Sequence, residues 1–136
     1  MKLKCKRLIL IGHSSCKDGR EYLSESTQCL GSTALGRNHP KNDILPIIKW
    51  VGDRKQIFNI HLRNIKGRWN AFQEVYPDNG DMDFALVIKA LRNVGYDGMV
   101  MPDHIPAHDD PASGLQGHAF AFGYIKALIH AIGGDY

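Results

Sequence analysis

Ile57-Phe58-Asn59-Ile60-His61-Leu62-Arg63-Asn64 and, further along, Met99-Val100-Met101-Pro102-Asp103-His104 decide how this chain folds. Each is a short apolar run that delivers polar side chains able to bind a metal or move a proton. Between them Phe84, Val87, Ile88, Leu91 and Val94 recur at i, i+3, i+4, i+7 and i+10, the buried stripe of an amphipathic helix. Strand, helix and strand in that order make a β-α-β unit with its chemistry at the strand ends.

The same grammar extends to either side. The first strand is expected over Gln56 to Ile60, followed by a loop containing Gly67, Trp69 and Pro77; Gly80-Asp81-Met82-Asp83 opens the helix and Gly95 stops it. Upstream, Cys29-Leu30-Gly31-Ser32 reads as a strand end entering a loop through Gly36, Asn38 and Pro40. Asn42 or Asp43 then caps a helix with Pro46 in its first turn, where a missing N–H costs nothing. Its inner face is expected to carry Leu45, Ile48 and Val51, with Trp50 near the edge and Gly52-Asp53 as the stop. Downstream, a strand over Gly98 to Met101 leads to a loop from Pro102 to Gly117. A helix from Phe120 to Ile132, with Ala121, Ile125, Leu128 and Ile129 inward, ends at Gly133-Gly134. Three successive β-loop-α units imply an α/β fold with a parallel sheet and helical crossovers.

Composition sets the outer limits. The chain has 136 residues, 43% hydrophobic and 23% charged, which suits one ordinary domain. A formal charge of +3 is a weak argument for nucleic acid. The cluster Lys2, Lys4, Lys6 and Arg7 has no interleaved aromatic residues, so it reads as a solvated terminal strand, and no nucleic-acid partner is expected. Cys5, Cys16 and Cys29 are odd in number and form no CxxC pair, which favours a reduced, cytoplasmic compartment. Leu8 to Ile11 is too short for a signal sequence or a membrane span, and no membrane association is expected. Residues 1–28 otherwise show no periodicity and stay unassigned; residues 29–136 carry the repeating units.

In parallel β/α folds, active sites form on the loops beyond the carboxyl ends of the strands. Cys29, His61 and Asp103 occupy that position in consecutive units and are expected to converge. Taken singly each has a plainer explanation, as a small buried residue, a strand-end histidine and a loop hydrogen-bonder. Together, thiolate, imidazole and carboxylate suit a divalent ion such as Mn²⁺, Fe²⁺ or Zn²⁺. Arg63, two residues beyond His61 on an extended segment, points to the same side. Its guanidinium can hold a substrate carboxylate as a bidentate pair, or form a surface salt bridge. His104 is a candidate proton donor or acceptor. His108, Asp109 and Asp110 read as a polar loop, and His13, His39 and His130 as surface residues.

Five blocks carry a resemblance to a known family: Ile57 through Gly67, Asp78-Asn79-Gly80-Asp81-Met82-Asp83, Gly95-Tyr96-Asp97-Gly98, Met101-Pro102-Asp103-His104-Ile105-Pro106, and Phe122-Gly123-Tyr124-Ile125-Lys126. In order and spacing, residues 29–133 resemble the C-terminal part of mannonate dehydratase. The resemblance implies a metal-dependent lyase on a (β/α)₈ TIM barrel of the xylose-isomerase-like kind, which dehydrates D-mannonate to 2-keto-3-deoxy-D-gluconate in glucuronate catabolism. It implies Cys29, His61 and Asp103 as metal ligands for Mn²⁺ or Fe²⁺, Arg63 as a substrate-site arginine and His104 as the acid/base. Where the family has Gly-Tyr, this chain has Gly117-His118, so His118 takes the place of a tyrosine in the proton transfers. A further histidine ligand that the family has upstream of the cysteine finds no match here.

A whole barrel takes about 250 residues. This chain is therefore expected to hold only three or four C-terminal units, to be weakly active or inactive alone, and to cover its open face by self-association or with the missing barrel half. The alternatives are another sugar or sugar-acid enzyme of the same barrel class, since fold does not fix substrate, and a non-catalytic remnant.

Overall fold

The computed structural model describes residues 28–29, 40–68, 71–106 and 113–133. Along the chain these form β1 (Gln28–Cys29), α1 (Pro40–Asp53), β2 (Asn59–Leu62), β3 (Asn64–Arg68), β4 (Ala71–Val75), α2 (Phe84–Asn93), β5 (Met99–Pro102) and α3 (Ser113–Ala131). β1, β2 and β5 make a parallel sheet in that order, as the alternation of units requires. The register sets Cys29 beside His61, and His61 beside Met101.

Strand alternation sends neighbouring side chains to opposite faces, and β2 divides accordingly. Ile60 and Leu62 are buried, whereas Asn59 and His61 on the other face are only half-buried. Against Ile60 and Leu62 pack Ile44 and Ile48 of α1, Phe84, Val87, Ile88 and Leu91 of α2, and Ile125 of α3. The helices thus cover one face, and full burial of each such side chain contributes about 1.5–3 kcal/mol. Four residues of the expected stripe, Phe84, Val87, Ile88 and Leu91, are buried on α2, and the fifth, Val94, is its half-buried C-cap. Asp83 caps the other end by accepting from the backbone N–H groups of Ala85 and Leu86. Gly95 leaves the helix at φ +69°, a conformation open to glycine at little cost.

Several expectations need correction. α1 begins at Pro40 rather than at Asn42 or Asp43, so Pro46 lies inside the helix, and Ile44 rather than Leu45 leads the buried face. Both sheet strands sit further along than expected, which places His61 within β2 and Pro102 within β5. α3 begins at Ser113 rather than Phe120, so Gly117, expected in the loop, is helical, and so is His118. Gly117 is there for close packing: a Cβ at that position would lie 2.5 Å from Ile105 Cγ2, in the segment that follows the site.

The largest departure is the expected loop after β2. It contains an antiparallel pair, β3 against β4, with Asn64 opposite Val75 and Ile65 opposite Glu74. Asn64 locks this hairpin to the approach to α2. Its Nδ2 donates to the carbonyls of Pro77 (2.7 Å) and Met82 (2.9 Å), and its Oδ1 accepts from the N–H of Met82 (3.1 Å). Gly80 makes room for that amide, since a Cβ there would lie 2.0 Å from Asn64 Oδ1.

Candidate functional site

The carboxyl ends of β2 and β5 are tied together where Asp103 N donates to Leu62 O at 3.1 Å. That bond carries Asp103 just past the sheet, and its Oδ2 comes within 3.5 Å of His61 Nδ1. His104 follows at φ +48°, a left-handed conformation that costs a non-glycine residue about 1 kcal/mol or more. The ring that this backbone presents has Nδ1 2.8 Å from Glu74 Oε1 and Nε2 3.7 Å from Asp103 Oδ1.

Arg63 leaves β2 just before the hairpin and is only 8% exposed, so the surface salt bridge weighed from the sequence does not describe it. Its Nη2 pairs with the same Oε1 of Glu74 that His104 faces. Its guanidinium carbon lies 5.5 Å from the centre of the Phe72 ring. Phe72 and Glu74 are two apart on β4 and therefore share one face, so the hairpin encloses Arg63 with a ring and a carboxylate. His61, Asp103, His104, Arg63 and Glu74 form one chain of polar contacts, with an imidazole and a carboxylate at one end and a buried guanidinium at the other.

Four of the residues singled out in the sequence are therefore brought together. Cys29 stands next to His61 in register, but its side chain lies outside the described residues, as do His13, His39, His108, Asp109 and Asp110. His118 is exposed on α3, and its Nδ1 donates to the carbonyl of Gly114 at 2.6 Å rather than into the cluster. Among the described residues no group of three or more His, Cys, Asp and Glu side chains is arranged to hold a metal ion. No described helix is long and apolar enough to cross a membrane.

Glu74 was missed. A usable signal was present, because Phe72 and Val75 are strand formers and Gly67 and Asn70 are turn formers within the supposed loop. The run Ala71-Phe72-Gln73-Glu74-Val75 lacks clean alternation, which hid the strand.

Beside this cluster, Tyr76, Asp78, Asn79, Gln116, Gly117 and Phe120 line an open cleft of about 450 Å³ between the base of the hairpin and α3. Tyr76 and Phe120 meet edge to face there, ring centres 5.7 Å apart.

The family model for D-mannonate dehydratase (UxuA) matches residues 18–135. A mannonate dehydratase from Enterococcus faecalis is 37% identical over 112 residues, covering 77% of this chain and 30% of the relative. One from Thermotoga neapolitana is 34% identical over 113 residues, covering 78% and 31%. The crystal structure of mannonate dehydratase from Streptococcus suis serotype 2 superposes with a TM-score of 0.56 at 29% identity, over 78% of this chain and 33% of that one. The chain thus spans about a third of the length of the relatives it matches.

Proposed function

The chain belongs to the mannonate dehydratase family, and from that premise we propose that it forms the C-terminal part of a metal-dependent lyase site that dehydrates D-mannonate to 2-keto-3-deoxy-D-gluconate, a step of glucuronate catabolism. In this reading residues 29–136 are the last β/α units of a (β/α)₈ barrel, whose remaining units complete the site. The observation that carries it is the meeting of His61 with Asp103 at 3.5 Å, with His104 and Arg63 alongside, at the carboxyl mouth of parallel strands.

The donor set fits a divalent ion. Nitrogen and oxygen ligands bind such ions at about 2.0–2.2 Å, so two donor atoms 3.5 Å apart can reach the same one. His61 and Asp103 would hold it with Cys29, the neighbour of His61 in register. When bound, Mn²⁺ or Fe²⁺ supplies Lewis-acid stabilisation of the negative charge that builds up on the substrate carboxylate as its α-proton leaves.

The side chains divide the remaining work. Arg63, fixed by Glu74 and Phe72, orients the sugar-acid carboxylate. His104 exchanges a proton at Nε2, the ring nitrogen turned toward Asp103, and such a positioned group contributes about 10²- to 10⁴-fold. The electron pair of the C2–H bond becomes the C2–C3 double bond as the C3–O bond breaks. The departing hydroxyl takes up a proton and leaves as water, and the resulting enol rearranges to the 2-keto product. His118 matches the family's tyrosine in sequence only, and with its Nδ1 donating to Gly114 O on exposed α3 it takes no step in this scheme.

Calorimetric titration of the Mn²⁺-loaded chain with D-mannonate, other aldonates and ketoses tests the reading. Metal-dependent binding that favours D-mannonate and is weakened at least about tenfold by Arg63→Lys, with metal retained, is the expected outcome. No sugar-acid binding would overturn it, and preference for another aldonate or a ketose would move it to a different substrate.

A further inference from the structure

The atom on which the cluster converges is Glu74 Oε1, which faces Nδ1 of His104 and Nη2 of Arg63 together. We propose that Glu74 is a positioning residue: it holds His104 in the tautomer that carries its proton on Nδ1, leaving Nε2 to exchange a proton, and it fixes the Arg63 guanidinium beside that ring. The catalytic meaning of the tautomer rests on the dehydratase reading, whereas the placement rests on geometry alone.

An ionised carboxylate can only accept, so across this 2.8 Å ion-pair approach any hydrogen the two groups share is carried by Nδ1. Nε2 lies 3.7 Å from Asp103 Oδ1, beyond hydrogen-bond length, and faces the mouth that His61 and Asp103 share. A neutral imidazole bears one ring proton, so fixing it at Nδ1 defines Nε2 as the acceptor. The second ring nitrogen of a working histidine commonly depends on such a carboxylate for its tautomer.

The backbone explains why the carboxylate is needed. At φ +48° His104 has left the β5 strand conformation, so regular pairing does not orient its ring. Glu74 is held firmly: it sits opposite Ile65 on the hairpin, and Ile65 is fully buried. The same hairpin supplies Phe72 to Arg63, so one rigid element sets both groups. The hairpin thereby becomes part of the site, which gives a reason for its place directly after β2.

Long-range ¹H–¹⁵N spectra of the ¹⁵N-labelled chain, with the His104 ring assigned by difference against His104→Gln, read the tautomer directly. At a pH where the ring is neutral, His104 should show a protonated Nδ1 and a bare Nε2, opposite to the form favoured by free histidine. Glu74→Ala should shift the ring toward the Nε2–H form, and Glu74→Gln, which keeps an acceptor oxygen, should retain more of the Nδ1–H form. A wild-type ring protonated at Nε2 would overturn the proposal, as would a folded Glu74→Ala chain with an unchanged tautomer. Should Glu74→Ala fail to fold, the wild-type and Glu74→Gln spectra still decide. D-mannonate binding by the same samples separates the two ideas: a wild-type chain that binds none loses the dehydratase reading, while the ring protons decide the role of Glu74.

Discussion

His61 and Asp103 meet across two parallel strands, Nδ1 to Oδ2 at 3.5 Å, although the whole of α2 separates them in sequence. The pairing of β2 with β5 produces this approach, because it aligns Leu62 with Pro102 and lets the next residue, Asp103, bond back to Leu62 O.

Replacing either member of that pair with Ala should therefore strip bound Mn²⁺ or Fe²⁺ from a metal-loaded preparation while leaving the helical core intact. Metal analysis after gel filtration, with circular dichroism as the control for folding, makes the comparison. Each lost ligand should weaken retention at least about tenfold. Metal content equal to wild type in both variants would remove the site assignment.

Asn64 should be among the most costly polar positions to change. It is 2% exposed, and its amide serves buried carbonyl and N–H groups on both sides of the turn between β4 and α2. Asn64→Ala leaves those groups without partners, a loss of about 3 kcal/mol in unfolding free energy. Urea denaturation can measure it, with the exposed Lys66→Ala as reference. A loss as small as that of a surface substitution, under about 0.5 kcal/mol, would contradict the keystone role.

Tyr96 gives the chain an alkaline signature. Burial, with the nearby Asp97 charge adding to it, pushes its phenol from the ordinary 10.0 up to about 12, and the hydroxyl donates to Met99 O at 2.7 Å. The folded chain keeps this proton where the unfolded chain has released it. The stabilisation is complete below pH 10 and is lost as pH rises toward 12. Across that window wild type should lose more unfolding free energy than Tyr96→Phe, and parallel curves for the two would count against the shift.

Much of the scaffold could be read from residue order. The α2 stripe from Phe84 to Leu91 is set by helical period alone, and Asp83 and Gly95 bound it by local chemistry. Boundaries elsewhere were less legible. Exposed apolar residues on α3, among them Leu115, Phe120 and Phe122, blur its period, and Gly117 served packing rather than a turn.

The sequence by itself determined the succession of parallel β/α units, the helix face that enters the core, and the family. It also named His61, Arg63, Asp103 and His104, because their place at strand ends follows from short-range pattern. Only the tertiary structure decided which groups those residues meet. The Glu74 contacts depend on an antiparallel hairpin whose register brings β4 back over Arg63, and such pairing is fixed by hydrogen bonds between segments rather than within one.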